Sequence, residues 1–515
     1  MRVAVVALLV VTGGLAAEIA SAPAPPAPFK QRQIEVGVAG AAHGSAPFTR
    51  LVCPFPLPSL EPTRPFEHCN LRASAQTGPA NEIDLAMDSR DPRHLVAVAK
   101  AYNYSRTMPP VATSVPSVVA IPDQLLLHRP VITSYATTWD GGMSWTEGYL
   151  QGSTPWVAGL PLRSSSEQGS DPVVEFLPDG TVLAVTLRVT EYPVADSLPV
   201  WRSADGGATF EPLGSAFDGG PDKEWMAVDP ETGAVHLVTD DPAGAGGTWY
   251  TQSTDRGLIW RAPLRLPDEC CHFPSVAVGP AGVVYVAGSR GIFTRSSDDG
   301  LTWSPPTSIP RSPDCCVPGY GIGSGSLQLF RTLGFENLAA SHTDGLVVDV
   351  WFDRRYVLGA DVPPPLDHFS VGETDVFMTR SGDGGTTWET PRRISDEDGL
   401  LGAQFMPQVA LSPNGRDLHV AWMDQRHDPS GQLVEVYYRH SPDGGITWDP
   451  EMLVSDAPFL ADLSHHQNPL YVTPLGTGGI FVGDYIGLQA SDDRAVIAFP
   501  DTRYGRADVF VATVV

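Results

Sequence analysis

The sequence has little positive charge for its length. Only 33 of its 515 residues are lysine or arginine, against 59 aspartates and glutamates, and the formal net charge at pH 7 is −26. Because nucleic acid is a polyanion, the average field of such a chain repels it, and we expect no nucleic-acid partner. An acidic sugar could bind only in a local arginine-rich pocket, while the overall acidity favours solubility or weak cation binding.

Long apolar runs are also scarce, and only the start of the chain has one. An apolar stretch from Val3 to Ala17 follows a single arginine and leads to small residues at Ala20 and Ala22. This pattern is typical of a secretory signal, so residues 1–22 are predicted to be a signal peptide and the mature protein to be secreted or periplasmic, without stable membrane insertion. Because Pro23 hinders cleavage after Ala22, we expect cleavage at Ala17 or Ala20, with an uncleaved anchor as the alternative.

Cysteine is sparse, with six residues in the chain. An even number in an exported protein indicates disulfides, although sequence alone does not define their pairing. Cys53 and Cys69 lie close together outside the repeats and form the first expected pair; the remaining candidates are Cys270, Cys271, Cys315 and Cys316. Adjacent cysteines beside His272 lack the two-residue spacer of zinc sites, so we predict no metal site and no cofactor, with calcium left open.

Turn-forming residues are abundant instead. The 51 glycines and 49 prolines outnumber the charged residues, which make up 18% of the chain, while hydrophobic residues make up 42% and include 12 tryptophans. This composition favours many short strands joined by tight loops around a large core, and it excludes long helical bundles and coiled coils.

A motif of the form Ser/Thr-x-Asp-x-Gly-x-x-aromatic recurs six times. In such a turn the aspartate accepts hydrogen bonds from backbone amides, the glycine adopts a conformation that other residues avoid, and the aromatic ring packs underneath. We therefore assign a structural role to its aspartates, which are Asp140, Asp205, Asp255, Asp298, Asp383 and Asp443.

A second repeat, upstream of each motif, is an apolar strand, a turn and an alternating strand. Seven such hairpins are present: Ile83–Lys100, Pro172–Arg188, Trp225–Asp240, Ser275–Arg290, Asn337–Arg355, Pro407–Arg426 and Ile486–Arg503. The spacing suits four-stranded blades, so residues 81–515 are predicted to form an all-β, seven-bladed β-propeller, with six blades as the alternative. The last hairpin is followed by one further strand only. We predict that Gln33–Gly40, within the leader at 23–80, supplies its outer strand and closes the ring.

The six motifs resemble the Asp-boxes of the sialidase (BNR-repeat) superfamily, over nearly all the chain after residue 80. The closing strings Gly483–Leu488 and Phe499–Arg503 are similar to those of secreted bacterial sialidase-like proteins. The resemblance implies the propeller more firmly than an activity. Sialidases use an arginine triad, a tyrosine nucleophile assisted by glutamate and an aspartate acid/base, and their first arginine lies in a Phe/Tyr-Arg-Ile-Pro motif that this sequence lacks.

Functional residues of a propeller are expected on the face formed by loops that enter the first strand of each blade or join its second and third strands. Tyr485 begins the last blade where a sialidase nucleophile would emerge, and Asp222 and Glu224 could form an acid/base pair; packing and solvated loop charge are the alternatives. The other candidates from the loops entering first strands are Glu82, Asp84, Asp171, Lys223, His272 and Asp484.

Arginines at the ends of second strands form another candidate set. Arg355, Arg426 and Arg503 each follow an aspartate in an Asp-x-Arg string, and Arg290 occupies a similar position. One interpretation is an ion pair that closes each hairpin; the other is an arginine cluster that binds a carboxylate or sulfate.

These features favour an exported propeller that binds or processes a glycan or glycoconjugate, which could be acidic. The alternatives are a sialidase-like glycoside hydrolase with a tyrosine nucleophile and an arginine clamp, and a non-catalytic protein-binding propeller. A lyase is a further possibility, because propellers host several chemistries.

Overall fold

The computed structural model describes residues 48–53, 69–74, 79–102, 131–150, 168–191, 194–241, 247–267, 273–288, 291–311, 336–354, 374–396, 402–428, 433–461 and 482–515. In these ranges the chain forms 29 strands and one 3-10 turn, Pro280–Gly282. The strands build seven antiparallel sheets. The seven-bladed β-propeller is therefore confirmed, and the six-bladed alternative is wrong. No helix within these ranges is long and apolar enough to cross a membrane.

The first strand, β1 (Leu71–Arg72), belongs to the last blade, and the others follow in chain order. Blades 1 to 3 contain, from first to fourth strand, β2 (Ala80–Met87), β3 (Leu95–Tyr102), β4 (Val131–Thr138) and β5 (Thr146–Tyr149); β6 (Gln168–Phe176), β7 (Val182–Glu191), β8 (Val194–Ser203) and β9 (Glu211–Asp218); β10 (Asp222–Val228), β11 (Val235–Asp240), β12 (Thr248–Ser253) and β13 (Leu264–Arg265).

Blades 4 to 7 follow the same plan. They contain β14 (Ser275–Val278), β15 (Val284–Gly288), β16 (Ile292–Ser296) and β17 (Thr307–Ser308); β18 (Asn337–Ala340), β19 (Val347–Arg354), β20 (Thr374–Ser381) and β21 (Arg392–Arg393); β22 (Gln404–Leu411), β23 (Leu418–Asp424), β24 (Leu433–Ser441), β25 (Met452–Leu453) and the additional β26 (Phe459–Leu460); and β27 (Gly487–Ala490), β28 (Ala495–Asp501) and β29 (Asp508–Val514) with β1.

The hydrophobic core lies between the blades. Six of the seven buried apolar clusters draw their residues from two neighbouring blades, and one of these joins blade 7 to blade 1; the seventh cluster spans blades 5, 6 and 7. The second strand of a blade is covered on both faces: every residue of β23 is buried, including Trp422. Burial at about 25 cal/mol per Å² makes these interfaces the main stabilising term.

The ring closes through the N-terminal segment. Leu71 pairs with Val511 across β1 and β29, and Arg50 exchanges backbone hydrogen bonds with Val515 at the far end of the same edge. The predicted Cys53–Cys69 disulfide is present and joins these two stretches; the other four cysteines lie outside the described residues.

The prediction that the N-terminal part of the chain closes the ring is confirmed, but the predicted segment was wrong. Leu71–Arg72, not Gln33–Gly40, is the outer strand of blade 7, because a two-residue strand held by backbone pairing needs no alternating pattern. Gln33–Gly40 itself lies outside the described residues.

The six motifs form the turns between third and fourth strands of blades 1 to 6, and we call these the box turns. In the first, the Asp140 carboxylate accepts hydrogen bonds from the Ser144 amide at 2.9 Å and the Ser144 hydroxyl at 2.6 Å. The Trp145 indole donates to the Gly142 carbonyl at 2.9 Å. Gly142 has φ 94°, a left-handed conformation that glycine adopts without steric cost.

Candidate functional site

The end of the propeller opposite the box turns carries a group of charged residues where first strands begin. We define the axial cluster as Glu82, Lys100, Asp171, Lys223 and Asp484. Glu82 and Lys100 lie in blade 1, Asp171 in blade 2, Lys223 in blade 3, and Asp484 directly before blade 7. Since blades 3 and 7 are separated by two others, the contact between Lys223 and Asp484 crosses the ring axis.

Backbone bulges aim these side chains at the axis. The pairing of β2, β6 and β10 with their neighbours shifts register near Glu82, Asp171 and Lys223. The three residues have φ of 51°, 47° and 54°, in the left-handed region that non-glycine residues rarely adopt. Such strain is concentrated at functional sites, where a bulge redirects a side chain.

Ion pairs join the axial cluster. The Lys223 ammonium lies 2.6 Å from Asp171 Oδ2 and 2.5 Å from Asp484 Oδ2. The Lys100 ammonium lies 2.9 Å from Glu82 Oε2 and 3.5 Å from Asp171 Oδ1. Asp171 therefore receives both ammonium groups, in a cluster that is almost completely buried.

Burial and neighbouring charge separate the carboxyl groups by pKa. Burial, reinforced by the Asp171 carboxylate, raises the pKa of Glu82 to about 8. Burial also acts to raise the pKa of Asp171, but the Lys223 and Lys100 ammonium groups outweigh it and hold that pKa well below its usual range. At neutral pH Glu82 thus carries a proton beside an ionised Asp171, an arrangement suited to proton transfer.

The three carboxyl side chains of the axial cluster also have the spacing of a metal site. Ligand atoms from Glu82, Asp171 and Asp484 lie within 4.8 Å of one another. The Lys223 ammonium, bound to two of them, supplies a cation to this group from the chain itself. Although burial opposes its charge, Asp171 and Asp484 raise the pKa of Lys223 well above its usual value.

Two further carboxyl groups adjoin the cluster. Glu224 is buried, and its side-chain oxygens accept no hydrogen bond from another described residue. Burial, then the Asp171 and Asp222 carboxylates, raise the pKa of Glu224 well above its usual value. Burial likewise raises the pKa of Asp84 to about 7, although the Val174 amide donates to its carboxylate at 2.8 Å. A buried polar group without a partner is unusual and points to a role beyond packing.

Tyr485 and Trp225 form a partly exposed aromatic pair beside these carboxyl groups. Their rings meet edge to face with centroids 5.5 Å apart. The Tyr485 hydroxyl donates to the Pro172 carbonyl at 2.9 Å. Burial around the hydroxyl, with the Asp171 and Glu82 carboxylates, raises the pKa of Tyr485 well above its usual value, so the phenol is neutral.

The two described arginine candidates pair within their own neighbourhoods. Arg426 lies 2.6 Å from Asp424 and 2.5 Å from Glu451. Arg503 lies 2.5 Å from Asp501 and 2.7 Å from Asp456. This is the arrangement expected for hairpin-closing ion pairs. Arg290, Arg355 and His272 lie outside the described residues.

The structure brings together most of the candidates from the loops entering first strands, namely Glu82, Asp84, Asp171, Lys223, Glu224, Asp484 and Tyr485. Asp222 lies at the margin, half-buried at the start of β10. Sequence reasoning missed Lys100. A compositional signal was available, because the chain has only three lysines, Lys30, Lys100 and Lys223, and two of them meet Asp171.

Comparison with known proteins identifies no family for this chain: no family model matches it, and no curated protein matches it. Similar solved structures include a protein of unknown function from Dyadobacter fermentans (14% identity, 86% of this chain and 97% of that one, TM-score 0.40). Another is an α-L-arabinofuranosidase of Fusarium graminearum with arabinobiose (14% identity, 86% of this chain and 96% of that one, TM-score 0.40). A third is an ulvan lyase (10% identity, 86% of this chain and 95% of that one, TM-score 0.43). At TM-scores below 0.5 these similarities carry no argument, so the fold rests on strand pairing.

Proposed function

We propose that the protein is an exported glycan-processing propeller whose reaction depends on proton transfer by the carboxyl groups at its axis. The observation that carries the proposal is the buried pair Glu82 and Asp171, with ligand atoms within 4.8 Å of each other on strained bulges, and with the pKa raised at Glu82 and lowered at Asp171. Glycosidic bond cleavage, by hydrolysis or elimination, requires one group to give a proton and another to take one. The Cys53–Cys69 disulfide supports export, because disulfides persist in oxidising compartments.

In this proposal Glu82 is the proton donor and Asp171 the carboxylate that keeps it poised. Glu224 is a second acid/base group, whose pKa Asp222 helps to raise. Tyr485 is retained as the candidate nucleophile, because its hydroxyl lies among the Asp171, Glu82 and Glu224 carboxyl groups. Before attack its hydroxyl would have to leave the Pro172 carbonyl and lose a proton, which a neighbouring carboxylate could accept.

The experiment is release of a chromogenic aglycone from a glycoside panel by the mature protein, its Tyr485→Phe variant and a matched control. The control is Tyr135→Phe, because the Tyr135 hydroxyl also donates to a backbone carbonyl, that of Ala208 at 3.3 Å. We expect turnover that Tyr485→Phe abolishes and Tyr135→Phe preserves. Unchanged turnover in Tyr485→Phe would show that Tyr485 is not the nucleophile. No turnover by the unmodified protein would show that it is not a hydrolase of these glycosides.

A non-catalytic glycan-binding propeller is the second candidate. It is favoured by the ion pairs that occupy Lys100 and Lys223 and by the hydrogen bond that holds Tyr485. Binding on a glycan array without turnover of any glycoside or polysaccharide would select it. The sialidase alternative ranks below both, because Arg426 and Arg503 are each held by two carboxylates.

A further inference from the structure

The positive charges of the axial site are paired before any ligand arrives. Lys223 is held between Asp171 and Asp484, and Lys100 lies between Asp171 and Glu82. An ammonium group has three donors, and the carboxylates already compete for them in a buried setting. A ligand carboxylate would have to displace one of these partners to gain an ion pair with either lysine.

The site also has more carboxyl groups than ammonium groups. Five are contributed by the first strands and their entry loops: Glu82, Asp84, Asp171, Glu224 and Asp484. Two ammonium groups face them. Because Glu82 and Glu224 keep their protons at neutral pH, Asp171 and Asp484 balance the two ammonium groups, and a carboxylate or sulfate on the ligand would be buried without a cation of its own, which costs roughly 100-fold or more in affinity.

Three described arginines supply no further cation to the axial site. Arg426 and Arg503 are each bound by two carboxylates of their own surroundings. Elsewhere in the described part of the chain, Arg311 is bound by Glu336 and Asp349 and stacks on Trp351 with 4.0 Å to the ring centroid. Each of these guanidinium groups is therefore already paired with carboxylates of its own surroundings.

What the site offers instead suits an uncharged ring. Trp225 and Tyr485 present partly exposed aromatic surface for the apolar face of a sugar. The protonated carboxyl groups of Glu82 and Glu224 can donate to and accept from hydroxyl groups. Aromatic walls with a few polar groups are the usual composition of a small-ligand site.

We infer that the axial site takes uncharged sugars and rejects uronic, sialic and sulfated ones. The inference rests on the proposed function and names its substrate class. It differs from the expectation that the sialidase resemblance carries, since a site whose two ammonium groups are already paired leaves an anionic substrate buried without a partner.

The test uses pairs of substrates that differ only in charge. Each p-nitrophenyl glucoside and galactoside, in both anomers, is compared with the matching uronide, and an arabinofuranoside and a sialoside complete the panel. Binding of neutral and uronic oligosaccharides to the same protein is measured separately by calorimetry. We expect kcat/KM and affinity to favour the neutral member of a pair by roughly 100-fold or more.

The outcomes separate the inference from the proposed function. Equal or faster turnover of uronides overturns the inference and leaves glycan processing intact. Binding of neutral oligosaccharides without turnover supports the inference and refutes catalysis. Binding of uronic oligosaccharides alone overturns the inference whether or not turnover is seen. If no glycan is bound and none is turned over, both the inference and the proposed function are overturned.

An Asp484→Asn variant sharpens the test, because it removes one carboxylate and leaves a Lys223 donor less strongly held. We expect the ratio of neutral to uronic affinity to fall about tenfold in this variant. Asp501→Asn, which changes a carboxylate held by Arg503 in blade 7, serves as the control and is expected to leave the ratio unchanged. An unchanged ratio in folded Asp484→Asn would overturn the electrostatic explanation.

Discussion

At one end of the blades six box aspartates occupy turns, and at the other end five carboxyl groups are buried at the axis. Hydrogen bonds from Thr302 and Ser296 lower the pKa of Asp298 to about 2, whereas burial raises the pKa of Glu82 to about 8. The same chemical group is thus a stable anion at one end and a protonated acid at the other. Hydrogen bonds favour the ionised form of Asp298, whereas desolvation favours the neutral form of Glu82.

The largest expected effect that sharpens this comparison is on turnover. Glu82→Gln removes the proton donor and should lower kcat roughly 10²–10⁴-fold, while the fold is retained because the pKa of Glu82 shows that its neutral form is already favoured. Asp443→Asn, in the box turn of blade 6, should leave kcat unchanged. Equal losses in both variants, measured on folded protein, would contradict the division of roles.

The next effect is on the free energy of unfolding. Lys223→Met removes the ammonium partner of the buried Asp484 and leaves Asp171 with Lys100 alone, which should cost about 3–5 kcal/mol. The control is Arg188→Met, which breaks an exposed ion pair with Asp196 at 2.7 Å and should cost less than about 1 kcal/mol. Urea unfolding measures both. Similar losses for the two variants would show that the axial ion pairs contribute no more than exposed ones.

A smaller loss of stability is expected at the box turns. Asp443→Ala removes the acceptor for the Thr447 amide at 2.7 Å and the Thr447 hydroxyl at 2.6 Å. The expected cost is about 2 kcal/mol, typical of lost hydrogen bonds to a charged group. Asp218→Ala, at the exposed end of β9, should stay within about 0.5 kcal/mol. A cost for Asp443→Ala no larger than that of the control would show that the box aspartate does not stabilise the fold.

The last prediction concerns the slope of stability against pH, whose sign should differ between the two ends. The pKa of Glu82 is raised, so its contribution is present below about 4.5 and is lost as pH rises through about 8. Stability relative to Glu82→Gln should fall across that window by up to about 1.4 kcal/mol per pH unit. The pKa of Asp298 is lowered, so its contribution is present above 3.8 and is lost as pH falls through about 2.

Measurements of thermal unfolding against pH for the unmodified protein, Glu82→Gln and Asp298→Asn test these opposite slopes. Each variant is compared with the unmodified protein at every pH, so that the titration of all other groups cancels. Slopes of the same sign in the two comparisons would show that the axial and box carboxyl groups do not differ in the way described.

The fold was largely predictable because its signals are local and repeated. Each box turn is specified within eight residues, and each hairpin combines apolar strands with a turn, so seven copies reinforce one interpretation. The Leu71–Arg72 outer strand escaped prediction because two residues have no periodicity, and only the curvature of the ring brings them to Val511.

The site was predictable in part. The rule for loops entering first strands identified Glu82, Asp171, Lys223 and Asp484, because it depends only on strand order. It did not predict their contacts across the axis, nor Lys100, which approaches Asp171 from the second strand of blade 1. Such contacts depend on bulges and left-handed backbone at single residues, which leave no mark in residue type.

The pairing of Leu71 with Val511, and of Arg50 with Val515, sets a limit on how the molecule is made. Leu71 and Arg50 leave the ribosome long before Val511 and Val515, so the circle stays open until the strands of blade 7 have been made. Blades can form one after another as the chain emerges, but the interface between blades 7 and 1 waits for β27, β28 and β29. A chain that stopped before these strands would carry six of its sheets and still lack the joint that makes them a ring.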